Sequence, residues 1–276
     1  MPQEVMNEYP FVSKPRDPRF LALRSLQTLP GRSRSRLYLI EGIRHVSRAV
    51  EHTALESIFL DPSSLSNHYG KKLARRLHKA GVPGIRLSCQ LYRDLTLASD
   101  PQGIGAVLQQ KWVSLNTVSA ERNSLWVAAE SIESPGNLGT IIRTAEAAGA
   151  TGLFVLGPDC DPYDPATIRA SMGSLFSQKL IKCSPHEFAG WAKSQRVAIV
   201  ASSPTGLMDY KALRYRFPAT IVIGSEKRGL SEHLLKCADF VVRIPMRGGC
   251  DSLNVAVASG ILLFEMASQQ RRAGQG

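Results

Sequence analysis

A chain of 276 residues is long enough for one large domain or two modest ones, and 43% hydrophobic with 21% charged residues is the balance of an ordinary globular protein. No apolar run approaches the roughly 20 residues of a membrane span, and the N-terminus lacks an apolar signal core, so neither a membrane nor an exported protein is expected. Thirty-four Lys and Arg against 23 Asp and Glu leave a net charge of +11, which favours a polyanionic partner because each neutralised phosphate releases counterions. Five scattered cysteines without a CxxC pair and six histidines without ligand spacing argue against a disulfide framework or a metal and for the reducing cytoplasm.

Residues 1–18 are polar and read as a flexible arm. From 19 to 110 a smaller α/β domain is expected. A first helix is followed by a basic loop around RSRSR, then by RLYLIEGIRHV, which passes from strand alternation into helical spacing. SIFLD reads as a strand, KKLARRLHKAG as a helix closed by Gly81, and IRLSC as another strand. The positive charge gathers here. Arg32, Arg34, Arg36, Arg44, Lys71, Lys72, Arg75 and Arg76 are the candidate phosphate contacts of an RNA-binding surface. Residues 111–124 are polar and weakly periodic and read as a linker.

From 125 to 276 the rhythm is regular. LWVAAE, GLFVLG, KLIKC, VAIVAS, TIVIG and FVVRIP are short Val/Ile/Leu-rich strands alternating with helices, the pattern of a mostly parallel sheet covered on both faces. NLGTIIRTAEAAGA is a helix with Asn137 near its start and Gly149 at its end. The last helix begins near Ser252, with Leu253, Val257, Ile261 and Phe264 as its core-facing stripe. In such sheets ligands sit beyond the carboxyl ends of the strands, which directs attention to the strand-to-helix loops.

Three of those loops stand out. In ESPGNLGTIIRTA, Gly136 and Gly139 permit a tight turn, and Arg143 follows among apolar and small neighbours, as a snorkelling side chain or a functional one. IVIGSEKRGLS nearly matches a phosphate-binding loop, but Leu230 stands where the phosphate-gripping lysine is required, which excludes an NTPase. There Glu226 is either a buried-loop carboxylate beside a glycine that lets a flat ligand approach, or a residue of a helix's first turn. IPMRGGCDSLNV places Ser252 and Asn254 at a helix start, where a side-chain cap or an anion site is expected. A dinucleotide-binding oxidoreductase is excluded, because SIESPGNLG after the first strand is not GxGxxG.

Taken together, N-x-G-x-x-x-R-T-A (Asn137 to Ala145), G-x-E-x-x-G (Gly224 to Gly229) and I-P-M…S-L-N-V (Ile244 to Val255) resemble the three signature motifs of the SpoU family of RNA 2′-O-ribose methyltransferases, over roughly residues 125–270. RLYLIEGIRHV and DPQGIGAV resemble, more loosely, the small substrate-binding domain that precedes the catalytic domain in many members. The resemblance implies an α/β sheet whose C-terminal part forms a trefoil knot, a homodimer, and S-adenosylmethionine as cofactor. It implies that Gly224, Ile244, Met246 and Leu253 line the adenosine pocket, and that Arg143 is the principal catalytic residue with Asn137, Glu226, Ser252 and Asn254 around it. Whether Arg143 acts as a base or as a phosphate and oxyanion clamp stays open. Ala256 departs from the Ser that many members carry. The expected substrate is structured RNA, ribosomal RNA ahead of transfer RNA because of the two-domain layout. An inactive RNA-binding module is the alternative, opposed by the presence of all the motif residues.

Overall fold

Proline and capping residues open most of the helices, and short β-branched runs form the strands, in the computed structural model, which describes residues 8–273. The chain divides into two units. One runs to Gln110 and takes in Tyr163–Phe176 as well; the other comprises Lys111–Pro162 and the chain from Ser177 onward.

The first unit contains β1 (Phe11–Val12), α1 (Pro18–Ser25), α2 (Leu29–Ser35), β2 (Leu37–Glu41) and α3 (Ile43–His52). It continues with β3 (Ser57–Leu60), α4 (His68–Lys79), β4 (Gly84–Leu87), α5 (Cys89–Arg93) and β5 (Ile104–Gln109). Its sheet is mixed, in the order β1-β4-β3-β5-β2, with β5 antiparallel to both neighbours. Phe20, Phe59, Leu87, Leu91 and Tyr92 form the centre of its core.

Several expectations are corrected here. Residues 9–12 are not a loose arm: Tyr9 is buried, Phe11–Val12 pairs in parallel with Arg86 and Leu87, and Arg86 donates its backbone N–H to Pro10 O at 2.8 Å. Residues 1–7 of that arm lie outside the described residues. The supposed basic loop is helical: Thr28 caps α2 by accepting from Gly31 N, proline stands in the first turn, and Arg36 ends it at φ +56°. Winding this segment into a helix turns Arg32 inward. It is 2% exposed, donates to Leu26 O at 2.9 Å and reaches Asp164 at 3.3 Å, so it is not a surface contact for RNA. Arg34, Arg36, Arg44, Lys72 and Arg76 remain exposed, while Lys71 and Arg75 are half-buried.

The second unit begins with residues 111–124, which pack rather than hang as a linker. Val113 N donates to Leu180 O at 2.8 Å, and Val118 O accepts from the Trp191 indole at 2.9 Å. Then come β6 (Leu125–Glu130), α6 (Pro135–Ala148) and β7 (Gly152–Leu156). Helix α7 (Pro165–Ser171) belongs to the first unit, and the second resumes with β8 (Leu180–Cys183), α8 (Pro185–Ser194) and β9 (Ala198–Ser202). It ends with β10 (Met208–Asp209), β11 (Ala219–Ile223), α9 (Glu232–Cys237), β12 (Phe240–Arg243) and α10 (Val255–Ala273).

All seven strands of this sheet are parallel, in the order β10-β12-β9-β11-β6-β7-β8. β6, β7 and β11 are buried along their whole length, as strands covered on both faces must be. Trp126, Phe154, Phe188 and Trp191 stack into an aromatic cluster on one face, with Phe154 and Trp191 centroids 4.6 Å apart.

Helix α6 starts on Ser134, whose side chain accepts from Asn137 N, and stops at Gly149 with φ +79°. Its buried face is Leu138, Ile141, Ile142, Ala145 and Ala148, and it packs against α10. The core-facing side of α10 differs from the expected stripe. Ala256, Ser259, Leu262, Leu263, Met266 and Ala267 are buried, whereas Leu253, Val257 and Phe264 are 37%, 52% and 49% exposed. Close approach of α10 to α6 needs small residues, and Gly260, facing the Thr144 methyl, supplies one.

Candidate active site

The order reversal beside β6 puts the carboxyl ends of β6, β11, β9 and β12 together, and the three motif loops leave the sheet there. After β6, the loop is held on the buried Cys160: Ile132 N–H donates to Sγ at 2.9 Å. Burial pushes this thiol up to about 12, so it is a structural acceptor and no nucleophile. The loop then enters α6 through Ser134, which leaves Asn137 in the helix's first turn.

After β11, Gly224 begins a closed turn. Gly229 N donates to Ser225 O at 2.9 Å, and Gly229 itself stands at φ +66°. A Cβ on Gly224 would lie 2.3 Å from the Gly229 carbonyl carbon, so glycine is required by the loop's own backbone before any ligand is considered. The loop is pinned at its far end by Glu130, a carboxylate 7% exposed at the end of β6, which accepts from Ser231 N at 2.7 Å. Ser231 then caps α9. Glu226 is neither buried nor in a helical turn, because α9 starts six residues later at Glu232; it is exposed on the turn.

Asn137 joins the three motifs. Its Nδ2 donates to Glu226 Oε1 at 2.7 Å, and its Oδ1 accepts from Asn254 Nδ2 at 3.1 Å. Asn254 Oδ1 accepts from Ala256 N at 2.9 Å and Val257 N at 3.4 Å, so Asn254, rather than Ser252, is the side-chain cap of α10.

A cleft of about 1080 Å³ opens among these loops. Gly224, Ile244, Met246 and Leu253, the four expected cofactor residues, all line it, and so do Glu226, Ser252 and Asn254. Asn137 touches the lining through Glu226 and Asn254. Arg143 is not brought to the cleft. It is exposed on α6, six residues beyond Asn137, which is roughly 9 Å along the axis and on a different face, and it has no hydrogen bond or ion pair among the described residues. Sequence reasoning missed Glu130, whose role needs a partner 101 residues away, and the exposed ion cluster of Lys227 and Arg228 with Glu133 at 3.2 and 3.5 Å.

Comparison with known proteins agrees with this geometry. Residues 124–264 match the model of the SpoU rRNA methylase family, and residues 17–106 match an MRM3-like substrate-binding domain. The 23S rRNA (uridine(2479)-2′-O)-methyltransferase of Streptomyces viridochromogenes is 32% identical over 88% of this chain and 86% of its own length. The tRNA (guanosine(18)-2′-O)-methyltransferase of Thermus thermophilus is 31% identical over 54% of this chain and 77% of its own. The crystal structure of the S. viridochromogenes SpoU methyltransferase AviRb with its cofactor AdoMet (S-adenosylmethionine) superposes with a TM-score of 0.86, at 30% identity, over 93% of this chain and 99% of that one. With three motif loops converging on one cleft, this chain belongs to the SpoU rRNA methylase family and is an S-adenosylmethionine-dependent RNA methyltransferase.

Proposed function

We propose that the enzyme methylates a ribose 2′-hydroxyl of structured ribosomal RNA, as a cytoplasmic homodimer whose C-terminal segment is tied in a trefoil knot. The observation that carries the RNA assignment is extent. The ribosomal relative aligns over both units, whereas the transfer-RNA relative aligns over little more than half of the chain. The knot is supported by strand order: β11 lies between β6 and β9, β12 lies beyond β9, and α10 then returns to pack on α6. The dimer is supported by Val257 and Phe264, an apolar pair left exposed two turns apart on α10.

The cleft fits the cofactor. Its volume is at the upper end for small-molecule sites, and apolar Ile244, Leu253 and Met246 face polar Glu226, Ser252 and Asn254. S-adenosylmethionine supplies a methyl group on a positively charged sulfur. Gly224, Ile244, Met246 and Leu253 would hold it, and the Glu226–Asn137–Asn254 chain would keep the three loops in register. In-line displacement rewards such alignment by several kcal/mol. Arg143 lies outside this chain's own cleft, so we assign it to the cleft of the second protomer of the proposed dimer, where its fork of donors would meet an RNA phosphate and the developing alkoxide, the role that suits a guanidinium, which rarely gives up its proton. Arg34, Arg36, Arg44, Lys71, Lys72, Arg75 and Arg76 would carry the RNA backbone; Arg32 is withdrawn from that set by its burial.

The experiment is a map of 2′-O-methyl sites in ribosomal and transfer RNA from cells with the wild-type protein, with Arg143→Ala, and without the protein. One ribosomal site should depend on the protein, and Arg143→Ala should cut single-turnover methyl transfer roughly 10²-fold at saturating cofactor with unchanged melting. A protein-dependent site in transfer RNA alone would overturn the ribosomal assignment.

A further inference from the structure

The strands that end at the methyltransferase cleft also have beginnings, and a second cleft lies there. Where β9, β11 and β12 start, at Ala198, Ala219 and Phe240, the surface is hollowed by about 760 Å³. Its lining is cationic and aromatic: Lys193, Arg196, Arg216, Phe217 and Phe240. Lys193, Arg196 and Arg216 are all exposed, and none has an ion-pair partner among the described residues. The acidic side chain in the lining, Asp239, is engaged, its Oδ2 accepting from Ile199 N at 2.7 Å. The hollow therefore presents three cations against one carboxylate, a net positive charge, around two partly exposed phenyl rings. Nothing in the reaction uses it, since the cofactor residues lie at the opposite ends of the same strands.

We propose that this rear cleft is a second RNA-binding site, which takes an unpaired stretch of the substrate RNA with bases against Phe217 and Phe240 and phosphates on Lys193, Arg196 and Arg216. Each component has a physical reason. Phenyl rings stack on any base, for roughly 1–3 kcal/mol per base, and a guanidinium serves both phosphate and base plane. An acidic peptide would use the cations but gain little from the aromatic walls. The strands between the clefts are four or five residues long, so the two ends are about 15 Å apart at roughly 3.3 Å per residue. That line runs through the covered sheet, so an RNA that occupies both clefts must pass around the outside of the unit, over a longer path than this. The inference rests on the reading of this chain as an enzyme of structured RNA.

The test uses the full chain carrying Arg196→Glu with Arg216→Glu, and separately Lys193→Glu, all at exposed positions. Binding of a 23S ribosomal RNA transcript and of a short single-stranded oligoadenylate is followed against salt, with melting and cofactor binding alongside. The paired reversal should weaken both RNAs at least 10-fold and lower the log–log salt slope by about 1.4–1.8, for two lost phosphates. Lys193→Glu should lower it by about half as much, and cofactor affinity should not change. Wild-type affinity and slope in a properly melting variant would overturn the rear site while leaving the methyltransferase reading intact. Methylation of no RNA by the wild-type protein would instead be a failure of that underlying reading. Loss of binding to an acidic peptide, with RNA binding retained, would assign the cleft to a protein partner and overturn the proposal.

Discussion

Asn137 can face only one way. A carboxylate accepts and never donates, so Glu226 Oε1 requires the Asn137 amino group, at 2.7 Å. That leaves Asn137 Oδ1 toward Asn254, which must present its own amino group at 3.1 Å and turn its oxygen to the amides of α10. One acidic residue thus fixes the donor direction through two asparagines to a helix end. Asn137→Asp keeps the size but reverses the direction and sets two carboxylates against each other. Loss of a hydrogen bond to a charged group is worth roughly 1.5–3 kcal/mol, so methyl transfer should fall about 10–100-fold while melting shifts little at this open site. Adding Glu226→Gln restores a donor opposite the new acceptor and should recover part of the loss. If the double variant is no better than Asn137→Asp alone, Glu226 has a role beyond orientation. None of this direction was legible in the motifs, which place the three residue types in order without saying that they touch.

Among the elements, six of the seven strands and the flanking helices of the second unit follow from the alternation of short apolar runs with glycine- and serine-bounded segments; β10, only two residues long, leaves no such run. The loops needed distances. Gly224 reads in the sequence as room for a ligand, yet its Cβ position is filled by the Gly229 carbonyl carbon at 2.3 Å. Even Gly224→Ala must therefore open the turn, and calorimetry should show at least a 10-fold loss of S-adenosylmethionine affinity; wild-type affinity would mean that the turn yields freely. Helix α10 shows a different ambiguity. Leu253, Val257, Ile261 and Phe264 satisfy helical spacing, but so do Ala256, Ser259, Leu263, Met266 and Ala267, which are the residues in fact buried. Periodicity finds two faces and cannot rank them, because the small residues chosen for close packing against α6 look less apolar than the large ones left outside. Arg32 was misread for a related reason: its partner Asp164 is 132 residues away, and a basic run looks solvated until the chain is folded.

For the whole molecule, the exposed face of α10 is what supports the proposed second copy. Val257 and Phe264, about half exposed, are a poor surface for a monomer and a good seam for a dimer. Phe264→Lys should convert the protein to a monomer by light scattering with its melting cooperative, and a wild-type protein that is monomeric at every concentration would reject the dimer outright. The passage of Tyr163–Phe176 into the first unit has a further consequence. The boundary near residue 110 resembles a simple hinge between modules, yet the backbone leaves the second unit at Pro162 and rejoins it at Ser177. A protease that nicks the chain near 110 releases no intact module. The N-terminal fragment lacks α7, which stays on the other piece with Thr167, Ile168 and Ser171 as sticky, normally covered surface. The halves of this enzyme cannot be shuffled between proteins by a single genetic join, and any exchange of its first unit must carry both segments together.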